Sequence, residues 1–243
     1  MTTSTDRIFL AGASGAVGRR LVPLLRQRGY EVTGTTRSAD KADELRKLGV
    51  NALVMDVFDM GAVAEAMAAA RPTIVIHQLT DLSGGFAPER ELETLTRNTR
   101  IRTEGTHNLM RAARSAGVRR VIAQSLAWMY APGPEPHREE DPLDLNAQGT
   151  RAISVRGVVA LEQGVLEASP LEGIVLRYGW FYGPGANAKP AGSPPVHVDA
   201  AANAAALAID KGRPGAYNIA EASPLVSIEK AQRELGWDPG FRA

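Results

Sequence analysis

Short apolar runs alternate with amphipathic segments along most of the chain. The runs are rich in valine, isoleucine and leucine, which is typical of parallel strands buried on both faces. Strands are predicted at 8–11, 31–36, 52–56, 73–77, 119–125 and 173–178, with a short one at 216–219. Helices are predicted at 18–28, 39–48, 60–70, 89–116, 152–168, 199–211 and 228–235. Strands that alternate with helices predict an α/β fold of the Rossmann type, a doubly wound parallel sheet.

The first strand runs directly into a helix through a glycine-rich turn, residues 12–18. In a doubly wound sheet such a turn presents backbone N–H groups to a pyrophosphate. Gly12 allows the tight turn, Gly15 lets the phosphate approach the backbone, and Gly18 lets helix and strand pack closely. Plain packing of strand against helix is the alternative. The predicted cofactor-binding residues of this turn are Gly12, Ser14, Gly15, Ala16, Val17 and Gly18.

The composition and net charge of the chain exclude several classes of binding partner and several kinds of site. The chain has 243 residues, 44% of them hydrophobic, so it is long enough to bury a full core. Its formal net charge is +1 and no basic run stands out, so neither nucleic acid nor a membrane surface is an expected partner. Cysteine is absent from the sequence, which excludes disulfides, thiolate metal sites and a cysteine nucleophile. No metal site is predicted.

The first residues, 1–7, are polar and lack the apolar core of a signal peptide. No apolar run in the sequence approaches the roughly 18 residues of a membrane span. A cytoplasmic location is therefore expected.

Several sequence motifs, taken in order, resemble one superfamily. The chain is similar to the short-chain dehydrogenase/reductases, in their extended or atypical branch, also called the NAD-dependent epimerase/dehydratases. The motifs that carry the resemblance are Gly12-x-x-Gly15-x-x-Gly18, Asp56, Val75-Ile76-His77, Gly105-Thr106-x-Asn108-Leu109, Gln124-Ser125, Leu176-Arg177-Tyr178-Gly179-x-Phe181-Tyr182-Gly183-Pro184-Gly185 and His197-Val198-Asp199-x-Ala201. Together they span residues 8 to about 203.

The resemblance implies a nucleotide-binding Rossmann domain, residues 1–178, and a substrate-binding lobe, residues 179–243, that returns to the sheet. Segment 186–196 is short where relatives build a lid, so the lobe is expected to be reduced. The resemblance also places Asp56 at the adenine and His77 near the ribose of the nicotinamide half, and Val57 and Gln78 are further predicted cofactor-binding residues. For Asp56 the alternative is an exposed carboxylate at a strand end, and for His77 a hydrogen-bonded histidine at a strand end.

The end of the second strand discriminates between NADP and NAD. An acidic side chain there would bind the ribose diol and repel a 2′-phosphate. This chain instead has Thr35-Thr36-Arg37-Ser38, and Arg37 can form charge-assisted bonds to a phosphate. NADP(H) is therefore the predicted cofactor, and Arg19 is a further candidate for the pocket. A solvated Arg37 in a loop is the alternative.

Relatives that move hydride usually carry a tyrosine, as general acid or base, and a lysine four residues later that lowers the tyrosine pKa. Alignment through Ala160-Leu161-Glu162 places this pair at Ser154 and Val158, which cannot do that work. The sequence contains no lysine between Lys47 and Lys189.

Ser125 and Tyr130 are the predicted substitutes for this pair. The resemblance places Ser125 beside the substrate carbonyl. Other candidates for the proton-transferring group are Tyr178, Tyr182 and His197. The residues predicted to contact substrate are Trp128, Tyr178 and Trp180.

These features predict an NADP(H)-dependent oxidoreductase that reduces a carbonyl, imine or enone of a small or medium apolar metabolite. Two alternatives stay open: a non-catalytic protein that binds or senses NADP(H), and an isomerase or lyase of the epimerase/dehydratase kind. A homodimer is a further expectation, through the helices at 89–116 and 152–168. Val155, Val159 and Val165 would then belong either to the interface or to the core.

Overall fold

The structure is a computed structural model that describes residues 6–81 and 88–243. The strands are β1 Arg7–Ala11, β2 Glu31–Thr36, β3 Asn51–Val54, β4 Ile74–His77, β5 Arg120–Leu126, β6 Glu172–Tyr178, β7 Trp180–Tyr182, β8 Pro195–His197 and β9 Gly215–Ile219. The helices are α1 Ala16–Gln27, α2 Ala39–Lys47, α3 Met60–Ala70, α4 Pro88–Arg100, α5 Thr106–Ser115, α6 Gly149–Leu166 and α7 Val198–Leu207. Two π-helical turns, Ile101–Gly105 and Ala231–Leu235, complete the elements.

The main sheet has seven strands in the order β3-β2-β1-β4-β5-β6-β9, and every pairing is parallel. The strand order reverses between β1 and β4, and a crevice for a ligand opens at the carboxyl edge of such a sheet where the order reverses. The predicted Rossmann-type fold is confirmed.

Successive side chains of β1 point into two different cores, as the pleat of a strand requires. Ile8 and Leu10 pack with α1, α2 and α7 on one face of the sheet. Phe9 and Ala11 pack with α3, α5 and α6 on the other. Both faces of the sheet are therefore covered, and the open crevice is confined to its edges.

The structure departs from the predicted elements in the later part of the chain. β7 and β8 form a small parallel sheet that was not predicted. The predicted helix at 89–116 is interrupted by the π-helical turn Ile101–Gly105, and most of the one at 228–235 is the π-helical turn Ala231–Leu235. The division of the chain at residue 178 stays a prediction.

The valines of α6 belong mainly to the core of the chain itself. Val155 and Val165 are buried against other parts of the same chain, and Val159 is half-buried. The predicted dimer therefore cannot rest on Val155 or Val165. Within residues 6–81 and 88–243, no helix combines the length and apolar character needed to cross a bilayer.

A buried ion pair joins α6 to β6. Arg177 donates from Nη2 to Glu162 Oε2 at 2.7 Å and from Nε to Oε1 at 3.0 Å, and both side chains are about 5% exposed. Burial lowers the pKa of Arg177, but the hydrogen bonds and charge of Glu162 raise it above its ordinary value. Two charges are tolerated in the interior because each compensates the other.

His77, the last residue of β4, points into the interior. Its Nε2 lies 3.1 Å from Thr106 Oγ1, and its Nδ1 accepts the N–H of Leu79 at 3.2 Å. The ring is 2% exposed, and burial, with the nearby charge of Arg102, lowers the pKa of His77 to about 4. Both ring nitrogens are thus engaged, as in a hydrogen-bonded histidine at a strand end, and the position of His77 near a ribose stays a prediction.

Glu162→Gln is expected to lower the free energy of unfolding by about 3–5 kcal/mol, because it leaves the Arg177 charge buried without a counter-charge. Urea unfolding followed by circular dichroism at pH 7 measures this. Glu93→Gln, which removes an exposed partner of Arg97 on α4, is the control and should change stability little. Equal effects of the two substitutions would contradict the assignment.

His77→Gln is expected to flatten the acid dependence of stability. The folded pKa of His77 lies near 4 and the ordinary value is 6.5, so between these pH values the unfolded chain binds a proton that the native chain does not. The contribution is present above pH 6.5 and is lost as the pH falls toward 4, at about 1.4 kcal/mol per pH unit at most. Urea titrations from pH 4 to 7 should show this slope in wild type and in the exposed control His107→Gln, but not in His77→Gln.

Candidate active site

The glycine turn after β1 packs closely on its own backbone and on the end of β4. Gly12 has φ +89°, and a Cβ there would lie 2.7 Å from the carbonyl oxygen of Gln78. A Cβ at Gly18 would lie 2.3 Å from the carbonyl oxygen of Gly12. α1 begins with Gly15 as its N-cap and has no side-chain cap, so its first N–H groups face the turn without a side-chain acceptor. The turn fits a pyrophosphate.

Two contacts fix the walls of this turn. Ser14 Oγ donates to Thr36 Oγ1 at 3.0 Å and ties the turn to the end of β2. A Cβ at Gly185 would lie 3.6 Å from Ala16, so the Gly-Pro-Gly segment after β7 lies against the start of α1. Val17 is buried in the core and anchors the first turn of α1.

Arg37 follows β2 directly and is exposed at the carboxyl edge. Its side chain is 58% exposed, and Nη2 donates to Asp81 Oδ2 at 3.1 Å. Arg19 donates from Nε to the carbonyl of Ser14 at 3.0 Å and pairs with Glu44. Asp81 was not predicted, and since it lies far from Arg37 along the chain, no local motif signals it.

At the end of β3, Asp56 is exposed, and its Oδ1 accepts the N–H of Phe58 at 3.0 Å. Val57 is buried, its carbonyl accepts from Asn108 Nδ2 at 2.9 Å, and it packs under Gly105. Both residues lie at the carboxyl edge, where the cofactor-binding roles predicted for them stay predictions.

Gln78 and Tyr178 meet beneath the glycine turn. Gln78 is 4% exposed, and its Nε2 lies 3.4 Å from the hydroxyl of Tyr178. Its Oε1 has no hydrogen-bond partner among the described residues, so a polar ligand atom at this edge would satisfy it. Tyr178 is fully buried and donates to the carbonyl of Ala201 at 3.2 Å. The prediction that Tyr178 contacts substrate is therefore corrected, because its hydroxyl is used inside the core.

Ser125 and Tyr130 belong to the network around Glu162 and Arg177. Ser125 is fully buried and donates from Oγ to Glu162 Oε1 at 2.6 Å. The Tyr130 hydroxyl accepts from Arg177 Nη1 at 2.8 Å and donates to Asn218 Oδ1 at 2.7 Å. Burial raises the pKa of Tyr130 to about 12, so the phenol stays protonated at neutral pH. Both hydroxyls therefore have partners within the protein, and the catalytic roles predicted for Ser125 and Tyr130 stay predictions.

Trp128 and Trp180, which were predicted to contact substrate, lie together. Their rings stack with centroids 4.6 Å apart and planes 19° apart. Gly192 covers Trp180 so closely that a Cβ there would lie 2.7 Å from the ring. Trp128 also lines a cleft of about 300 Å³, whose wall includes Tyr130, His137, Arg151, Pro194, Leu225 and Val226. This cleft is the candidate substrate site.

The start of α6 carries no proton relay. Ser154 and Val158 are buried. Arg151, the cation nearest the cleft on this helix, donates to Asp144 at 2.8 Å and to the carbonyls of Trp128 and Tyr130 at 3.1 and 3.0 Å. Arg151 therefore holds the cleft wall in place.

The remaining proton-transfer candidates also have structural partners. His197 caps α7 by accepting the N–H of Asp199 at its Nδ1, and burial lowers the pKa of His197. Tyr182 donates to Glu221 and packs edge-on against His197. No three histidine or carboxylate side chains group as a metal site anywhere in the part of the chain that the structure describes.

Comparisons with known proteins agree with this geometry. A family model described as the NAD dependent epimerase/dehydratase family matches residues 8–195. A 3-diazoavenalumate denitrifying reductase from a Streptomyces species is 38% identical, over 92% of this chain and 78% of its own length. The dTDP-4-dehydrorhamnose reductase of Streptomyces griseus is 31% identical over 74% of this chain, which spans 51% of that relative.

Among solved structures, the UDP-glucose 4-epimerase of Thermus thermophilus in complex with NAD superposes with a TM-score of 0.77 at 21% identity. The superposition covers 98% of this chain and 95% of the other. This likeness supports the fold. The family model and the reductase relatives together establish that the chain is an enzyme of the oxidoreductase kind, and that it belongs to the NAD-dependent epimerase/dehydratase family of extended short-chain dehydrogenase/reductases.

Proposed function

We propose that the protein is an NADP(H)-dependent reductase whose substrate accepts hydride without a proton from the enzyme. The observation that carries this proposal is that the hydroxyl groups at the carboxyl edge are already hydrogen-bonded to other groups of the protein. Ser125, Tyr130 and Tyr178 all have buried structural partners, and Ser154 and Val158 stand where the resemblance expects a tyrosine and a lysine.

The chain's own residues fit the cofactor. Gly12 and Gly18 let the turn pack closely on its own backbone, while a Cβ at Gly15 would meet only the carbonyl oxygen of Gly12, at 3.4 Å. The first N–H groups of α1, which have no side-chain cap, would bind the pyrophosphate there. Gly185 lies over the start of α1 and would help to cover the cofactor from solvent. Gln78 would offer its orphaned amide oxygen to a polar group at the same edge.

The preference for NADP(H) rests on Arg37. One of its guanidinium nitrogens donates to Asp81, and the side chain is otherwise exposed at the end of β2. A 2′-phosphate there would replace or share the Asp81 contact, and a guanidinium binds phosphate through a charge-assisted fork. Thr36 and Ser38 on either side carry no negative charge that would oppose it.

The proposed substrate class follows from the absence of a tyrosine–lysine pair at the start of α6, where such a pair would transfer a proton. Reduction of an aldehyde or ketone leaves an alkoxide that must be protonated, usually by a positioned side chain. When bound, NADPH would supply a hydride. On an arenediazonium, the carbon–nitrogen bond breaks with its electron pair on dinitrogen and the hydride forms the new carbon–hydrogen bond, so no proton is needed. The relative named a 3-diazoavenalumate denitrifying reductase acts, by that name, on a diazo compound.

The cleft suits an aromatic substrate of small or medium size. Trp128 forms part of its wall together with the apolar residues Pro194, Leu225 and Val226. A volume of about 300 Å³ is at the lower end of the range for small-molecule sites. We propose an arenediazonium as the hydride acceptor, with the carbonyl, imine and enone classes as alternatives for the test below.

Isothermal titration of wild type with NADPH and NADH is expected to show NADPH binding at least about tenfold tighter. Arg37→Met should abolish most of this preference, because it removes the bonds to the 2′-phosphate and leaves the rest of the cofactor site intact. Arg26→Met, an exposed arginine in the last turn of α1, is the matched control. An equal loss for both cofactors in Arg37→Met would contradict the assignment of NADP(H).

With NADPH deuterated at the transferred position, the enzyme is expected to convert 4-diazobenzoate into benzoate that carries deuterium at carbon 4. The matched carbonyl compound, 4-carboxybenzaldehyde, should react at least about tenfold more slowly in kcat/KM, because its alkoxide lacks a proton donor. Mass spectrometry of the benzoate and the NADPH absorbance report the two rates, each corrected for the reaction without enzyme. Faster aldehyde reduction would overturn the substrate class, and NADPH binding without turnover of either compound would favour a binding protein.

A further inference from the structure

Arg102 is a buried cation without a partner. It lies in the π-helical turn Ile101–Gly105, is 8% exposed, and makes no hydrogen bond or ion pair with any residue in the ranges that the structure describes. The other two buried arginines of the described chain are matched. Arg120 donates to Glu172 at 2.7 Å and to the carbonyl of Ala208, and Arg177 donates to Glu162. The nitrogens of Arg102 are not among the fully buried atoms that lack a hydrogen-bond partner, but a largely enclosed charge without a protein partner is still costly and needs a physical reason.

The guanidinium stays charged in this position. Burial lowers the pKa of Arg102 to about 10, which is still well above neutral pH. Its charge also contributes to the lowered pKa of His77, which places it near the end of β4.

Topology puts Arg102 at the carboxyl edge. The chain leaves the carboxyl end of β4, descends through α4 and α5, and enters β5 from its other end. Thr106 is level with His77, the last residue of β4, because their side chains are hydrogen-bonded. Arg102 precedes Thr106 by one helical turn and therefore lies about 6 Å closer to the edge where ligands bind.

The turn that carries Arg102 lies beside α6, the helix where the resemblance expects the tyrosine and lysine. The π-helical turn packs against α6, and Thr99, just before it, donates to the carbonyl of Ile153 at 2.9 Å, next to Ser154. A π-helical turn inside a longer helix is a recurrent feature of functional sites. Arg102 belongs to this turn.

We infer that Arg102 is a ligand-binding cation, which holds an anionic oxygen group of the bound ligand at the carboxyl edge of the sheet. A guanidinium presents a planar fork of donors that matches a carboxylate or a phosphate. The two sources of such a group are a phosphate of the cofactor and a carboxylate of the substrate. This inference rests on the proposed function for the identity of both ligands. It gives the charge of Arg102 an anionic group of the ligand as its partner.

The test compares Arg102→Met with Arg111→Met, an exposed arginine on α5. In thermal unfolding without ligand, Arg102→Met should be at least as stable as wild type, because it removes an uncompensated buried charge. A merely structural arginine would instead give a lower Tm. Arg102→Lys, which keeps the charge, should retain part of the ligand affinity.

Calorimetric titrations then identify the ligand group. One arm uses NADPH, and the other uses 4-hydroxycinnamate and its uncharged methyl ester with the enzyme saturated in NADP. Arg102→Met should lose at least tenfold in affinity in one arm. A loss with NADPH assigns a phosphate, and a loss with 4-hydroxycinnamate but not with its ester assigns a carboxylate.

Unchanged affinity in both arms would overturn the inference, as would a wild type that binds neither anion. A wild type that binds NADPH but reduces neither test substrate would overturn the proposed reaction. The affinities of wild type and Arg102→Met could still be compared in that case.

Discussion

The buried ion pair between Glu162 and Arg177 is the interaction on which the later strands of the sheet, β5 and β6, depend. Two charges inside a protein are tolerated only when each compensates the other and the remaining donors and acceptors are satisfied. Ser125 satisfies one carboxylate oxygen, and the Tyr130 hydroxyl and the carbonyl of Glu139 satisfy the guanidinium. β5, β6, α6 and the loop after β5 are thereby fixed to one another by a single network.

This network decides what chemistry the site can perform. A hydroxyl that donates to a buried carboxylate is not free to polarise a substrate, and Tyr130, between Arg177 and Asn218, is held as a protonated phenol. Among residues 6–81 and 88–243, the hydroxyls of Ser125, Tyr130 and Tyr178 are all engaged with other groups of the protein. Catalysis then depends on bringing hydride and acceptor together. A substrate that releases a neutral, unprotonated leaving group suits such a site.

The sequence predicts the sheet well because buried parallel strands are continuous apolar runs, as in 119–125. β7 and β8 escape prediction because they are very short and pair only with each other across a loop. The positions of His77, Ser125 and Tyr178 at strand ends are predictable from the motifs. The directions of their side chains are not, because these depend on Thr106, Glu162 and Ala201, which are distant along the chain.

Arg37 and Arg102, both at the carboxyl edge of the sheet, show how burial changes the strength with which a charge attracts an anion. Arg37 is exposed and pairs with Asp81, so solvent screens its attraction for an anion. Arg102 is buried and has no partner among the residues that the structure describes, so its attraction for an anion would be screened far less. A buried charge of this kind would add to the contacts made by the glycine turn and the cleft wall.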